Sequence, residues 1–152
     1  MTIQNFIEIR RDGKVIDESM KVEDVIALGA AEKILDIQWR NGLTAVSVRN
    51  DFGILAKVVD GREFVVANEH DESGKNRTLS VLNADGSRRL SLPKTQRIRE
   101  QEVTGEYCWF EPARVKTPHV FGVVFSVQSD NAMFQLDVDA QDGRVIGVYP
   151  MR

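Results

Sequence analysis

Short apolar runs alternate with polar positions along most of the chain, and between Ile34 and Leu92 they are punctuated by Asn41-Gly42, Asp60-Gly61 and Asp85-Gly86. Both central residues of a tight hairpin turn need positive φ, which Asn, Asp and Gly tolerate best, so each pair directs the chain to reverse and pair with itself. The pattern predicts an antiparallel meander with strands at 34–39, 43–48, 54–59, 63–67, 79–82 and 88–92. Pro93 closes the run, because it has no amide to donate to a ladder. An earlier hairpin is predicted where Asp12-Gly13 separates the alternating residues 3–9 from Lys14-Val15-Ile16. From Val22 to Leu35 the pattern changes: Val22, Val25, Ile26, Leu28 and Gly29 repeat at three and four, with Glu23 and Asp24 where a helix N-terminus favours acids. This predicts one helix within Lys21 to Lys33, with Ser19 as a candidate N-cap and a start near Lys21 as the alternative.

Residues 94–102 are charged, with only Ile98 apolar, and read as an exposed connection. A second strand group follows at 106–110, 120–127, 132–138 and 144–149, the last pair joined through Asp142-Gly143, with a loop over 112–118. In 132–139, Phe134, Leu136 and Val138 are expected to face a core while Met133, Gln135, Asp137 and Asp139 face away. Residues 120–127 are apolar in both alternating sets, as in a central strand covered on both sides. The fold class expected is mainly β, or β-rich α+β: an antiparallel meander of hairpins forming a curved sheet or two-sheet sandwich, with one short N-terminal helix. The hairpin spacing would also suit a propeller, but no blade signature such as a Trp-Asp pair recurs.

At 152 residues the chain is expected to form a single domain, 1–152, around its own core. Hydrophobic residues at 42% and charged residues at 28% are ordinary for a globular protein. A net charge of −3 provides no general attraction for nucleic acid or an anionic membrane, and suits a basic partner better. Residues 1–11 lack the features of a signal peptide, and no apolar run approaches the roughly 18 residues of a membrane span, so a cytoplasmic protein is expected. With Cys108 alone, neither an intrachain disulfide nor a cysteine zinc site can form.

Candidate chemistry is sparse. The run Asp137-Val138-Asp139-Ala140-Gln141-Asp142-Gly143 looks like a calcium loop but places Asp142 where Gly is needed and Val148 where a bidentate Glu is needed. Cys108 and His119 could act as nucleophile and base only if the fold joined them, and Tyr107-Cys108-Trp109-Phe110 reads more simply as packing. His70 reads as a solvated loop residue. The basic residues Arg88, Arg89, Lys94, Arg97 and Arg99 are followed at once by acids, without interleaved aromatics to stack on bases. No phosphate loop, nucleophile elbow or zinc helix motif is present. A non-catalytic binding protein without cofactor or metal is the expectation. The alternatives are a small-molecule-binding or accessory β domain and an enzyme of unrecognised type.

Asn83-Ala84-Asp85-Gly86-Ser87, Gly105-Glu106-Tyr107-Cys108-Trp109-Phe110-Glu111-Pro112, Val120 to Phe125 and Leu136 to Val145 together resemble immunity proteins of bacterial polymorphic toxin systems, of the Rhs or contact-dependent type. The resemblance implies a protein that neutralises a cognate toxin by direct binding, the toxin domain being expected to be basic, with no role for nucleic acid or membrane. Two surfaces suit such binding: the strand face Met133, Gln135, Asp137 and Asp139 for docking, and the loop acids Glu69, Asp71 and Glu72 for electrostatic steering.

Overall fold

The computed structural model describes residues 2–151. Among these, all strand pairing is antiparallel and falls into three sheets. The N-terminal sheet contains β1 (Ile3–Arg10), β2 (Val15–Asp17), β3 (Ile34–Asn41) and β4 (Thr44–Arg49), in the order β2-β1-β3-β4. The middle sheet runs in chain order through β5 (Ile54–Val58), β6 (Phe64–His70), β7 (Arg77–Asn83) and β8 (Arg88–Ser91). The C-terminal sheet holds β9 (Thr95–Ile98), β10 (Gln101–Glu111), β11 (Val120–Val127), β12 (Met133–Asp139) and β13 (Val145–Pro150), also as a meander. The mainly β class, the hairpins and the single short helix are thus as the sequence predicts; Gly13, Gly42, Gly61, Gly86 and Gly143 take positive φ, but the Asn or Asp before each does not, so these turns are not the type expected, in which both central residues do.

The sheets stack because the middle one is apolar on both sides. Every residue from Phe64 to Asn68 is buried, so each alternating set needs its own cover. Val65, Ala67 and Leu82 pack with Ile3, Phe6, Ile37 and Trp39 of the N-terminal sheet. Phe64, Val66, Leu79 and Val81 pack with Tyr107, Phe121, Phe125 and Leu136 of the C-terminal sheet. A curved or two-sheet arrangement therefore extends to three layers, with β6 and β7 at the centre. Hydrogen bonds tie the layers: Trp39 Nε1 donates to the Ala84 carbonyl at 2.7 Å, and Asn68 Nδ2 to the Tyr107 carbonyl at 2.9 Å. The Tyr107 hydroxyl donates to the Pro93 carbonyl at 2.5 Å, and burial pushes this phenol up to about 12.

Two further sequence expectations are corrected, and one left open is settled. Residues 94–102 are not an exposed connection: β9 and the start of β10 form a hairpin whose turn residues Arg99 and Glu100 both take positive φ, and Ile98 is buried. The turn carries no Asx-Gly pair, so its signal was absent. Of the two helix starts offered, the one near Lys21 is realised: α1 (Val22–Ile26) begins at an N-cap formed by Lys21, whose amide donates to Asp24 Oδ2 at 3.0 Å, while the Ser19 hydroxyl bonds Asp17 instead. Finally, the outward side of β12 is not open. The segment 112–118 folds back over it, and backbone groups leaving water need new partners. Asp137, fully buried, accepts from the Val115 amide at 2.9 Å, and Gln135 Nε2 donates to the Pro112 carbonyl at 2.9 Å. Gly122 permits the crossing, since a Cβ there would stand 2.5 Å from the Glu111 carbonyl oxygen.

Candidate partner-binding surface

The polar residues singled out in the sequence are largely engaged in the fold itself. Gln135 and Asp137 hold the segment 112–118, so the docking face proposed on Met133, Gln135, Asp137 and Asp139 is reduced to its ends, and the Asp139 carboxylate caps the turn through the Gln141 amide at 2.9 Å. His119 lies beside Glu63, Nε2 to Oε2 at 3.0 Å, with its ring edge-on to Phe64 at the start of β6. Cys108 lies with His70 at the other end of that strand. Six residues of strand at about 3.3 Å each put roughly 20 Å between the two ends, too far for a nucleophile and its base. Burial raises the Cys108 thiol above its ordinary value, which further favours the unreactive form. Among the described residues no group of three or more His, Cys, Asp or Glu side chains could hold a metal ion.

The acids Glu69, Asp71 and Glu72 lie at the end of the β6–β7 hairpin, Glu69 in β6 and the other two in the connection that follows. Asp71 shapes the turn: it accepts from the Ser73 hydroxyl at 2.7 Å and from Asn76 Nδ2 at 2.9 Å, and these bonds lower its carboxyl to about 2. Immediately beside this tip is a hollow of about 350 Å³. Strand register builds it. β6 pairs with β7 so that His70 stands opposite Arg77, and Arg77 Nη1 reaches the Cys108 carbonyl on β10 at 3.0 Å. The turn before β5 brings Gly53 against the imidazole, where any Cβ would come within 3.0 Å of His70 Nδ1 and where φ is +123°. Lys33, from the chain entering β3, closes the rim. His70, read from the sequence as solvated, is therefore half-buried. Burial first, then the charges of Arg77 and Lys33, hold its imidazole below the usual value.

Apolar side chains exposed around the molecule are the other requirement for docking. Phe52 precedes Gly53 and is 43% exposed, and Trp109 follows Cys108 at 41%, its Nε1 held by Glu111 Oε1 at 2.7 Å. Further along the N-terminal sheet, residues 18–33 form an arm over which α1 buries none of its residues, leaving Val22 72% and Ile26 69% exposed one helical turn apart. The arm is held through Glu18, paired with Arg62 at 2.8 Å, and through the Leu28 and Ala30 carbonyls, which accept from Lys14 and Arg10. Sequence reasoning missed the hollow because its residues come from five separate segments. The one local sign of them was Gly53, which ends a turn without an apolar reason to be there.

No protein-family model and no curated protein matches the chain. Among solved structures, that of Tne2 in complex with Tni2 contains a chain that is 35% identical, superposes with a TM-score of 0.92, and is matched over 99% of its own length and 99% of this one. Identity at that level over the full fold is kinship rather than shared architecture alone. The protein therefore belongs to the same family as that component of the Tne2–Tni2 complex, and its resemblance to the immunity proteins of bacterial toxin systems rests on this kinship as well as on its own sequence.

Proposed function

We propose that the protein is a non-catalytic immunity protein that neutralises a cognate bacterial toxin by direct binding. The observation that carries this reading is the full-length match to one component of a two-protein complex. Two features of the chain agree with it. The polar groups that might have formed a catalytic centre are committed to structural bonds, as for Asp137, Gln135 and His119. The surface meanwhile leaves aromatic and aliphatic side chains such as Trp109, Phe52 and Val22 exposed, the kind of residue that anchors an interface. The net charge of −3 suits a basic toxin, and the cytoplasm is the compartment proposed for the encounter.

The test is to purify the protein with the product of the neighbouring gene and measure their affinity by calorimetry, then to express that product in cells with and without the protein. Binding tighter than about 1 μM, or more than about 8 kcal/mol, together with rescue of growth is the expected result. A neighbouring product that is toxic but neither bound nor neutralised would refute the assignment.

A further inference from the structure

We propose that the hollow between Lys33 and Arg77 is the receptor for a carboxylate-bearing side chain on a loop of the toxin, with the acids Glu69, Asp71 and Glu72 meeting basic residues around that loop. The inference rests on the immunity reading and specifies the partner's chemistry at one site. Its first support is an imbalance of charge. Ile34, Ile54, Leu55 and Cys108 line much of the hollow, beside a part-buried Arg77 and an exposed Lys33 at the rim. Among the described residues the Arg77 side chain nevertheless donates only to the Cys108 carbonyl, and Lys33 Nζ only to the Phe52 carbonyl at 3.4 Å. None of the ion pairs among the described residues uses either cation, although Glu32 also borders the site. A guanidinium with unused donors presents the planar fork that a carboxylate takes in bidentate fashion, and the bond is strongest where water is partly excluded.

The second support is shape. The space is concave, and the apolar side chains of Ile34, Ile54 and Leu55 in its lining give the stem of an entering side chain something to pack against. His70 adds a third support. Its ring lines the hollow, and its Nε2 is buried with no hydrogen-bond partner among the described residues. The acidic tip of the β6–β7 hairpin then gives selectivity, since it repels broadly acidic surfaces and admits an acid only when basic neighbours accompany it.

The cognate toxin, purified as the product of the neighbouring gene, is the probe. Lys33→Glu and Arg77→Glu are each expected to weaken binding by at least about 30-fold. Arg144→Glu, at the β12–β13 turn, is expected to stay within about threefold of the wild type. Cys108 supplies a readout that leaves the fold untouched. Its alkylation by iodoacetamide, followed by mass spectrometry, is expected to slow at least about tenfold in the complex, because the loop fills the space through which the reagent reaches the sulfur. If Arg77→Glu fails to fold, Lys33→Glu and the alkylation rate decide. A wild type that binds the toxin while both charge reversals bind as tightly, or while Cys108 reacts equally fast, overturns the site and leaves the function standing. A wild type that binds no toxin overturns both.

Discussion

Replacing Glu8 with Gln should make this protein more stable at neutral pH. Glu8 lies on β1, opposite Ile16 of β2 and Ile37 of β3, and its side chain lines a groove of about 530 Å³ between the N-terminal sheet and β5. Burial raises its carboxyl from 4.5 to about 7, with no ion pair among the described residues to offset the loss of water. A carboxyl with a raised folded value binds its proton more tightly in the native state than in the unfolded chain. The penalty is therefore absent below about pH 4.5, grows as pH rises toward 7, and is fully present above it. At 1.36 kcal/mol per unit the shift corresponds to at most about 3 kcal/mol. Glu8→Gln keeps the shape and removes the charge. It should raise stability at pH 8 by up to about 3 kcal/mol, or roughly 6–12 °C in Tm, and leave it unchanged at pH 4. Thermal unfolding of both proteins across that range is the assay. Parallel curves of Tm against pH would show that Glu8 ionises as it does in water and would refute the reasoning.

Other perturbations test the remaining parts of the argument. Leu136, fully buried between the middle and C-terminal sheets, should cost about 2–5 kcal/mol on truncation to Ala in urea unfolding, through lost transfer energy and a cavity. Asp137→Ala should cost about 1–3 kcal/mol by stranding the Val115 amide, and should make Arg114 and Lys116 targets for limited trypsin digestion, whereas an unchanged digest would mean the segment 112–118 is held otherwise. The triple variant Glu69→Lys, Asp71→Lys, Glu72→Lys should slow association with the toxin at low salt, with the difference fading as salt is added, as stopped-flow mixing would show. Val22→Ser with Ile26→Ser should shift stability by less than about 0.5 kcal/mol, because α1 buries neither residue, so a larger loss would mean the arm packs more tightly than its exposure indicates.

Local chemistry was enough to determine the strand meander. Asx-Gly pairs set the turns, Gly through its positive φ and Asp12, Asp85 and Asp142 by accepting the amide two residues on, the three-to-four repeat placed α1, and two-residue alternation put Phe134, Leu136 and Val138 in the core. Where local chemistry was silent, reading failed: Arg99 and Glu100 make a turn in which both central residues take positive φ, without Asn, Asp or Gly, held there by the pairing of β9 with β10. The direction in which alternating side chains point is local, but what covers them is not. Alternation correctly placed Gln135 and Asp137 opposite the core, yet only the returning segment 112–118 buried them, because its amide and carbonyl needed partners. The likeness to immunity proteins could be read from strand and turn residues. The hollow could not, since Lys33, Gly53, His70, Arg77 and Cys108 are far apart in the chain and meet only through the register of β5, β6 and β7 and the packing of β10 against them. Periodicity reports the face a residue occupies, whereas a site requires the distances between faces, and those are decided only when the sheets stack.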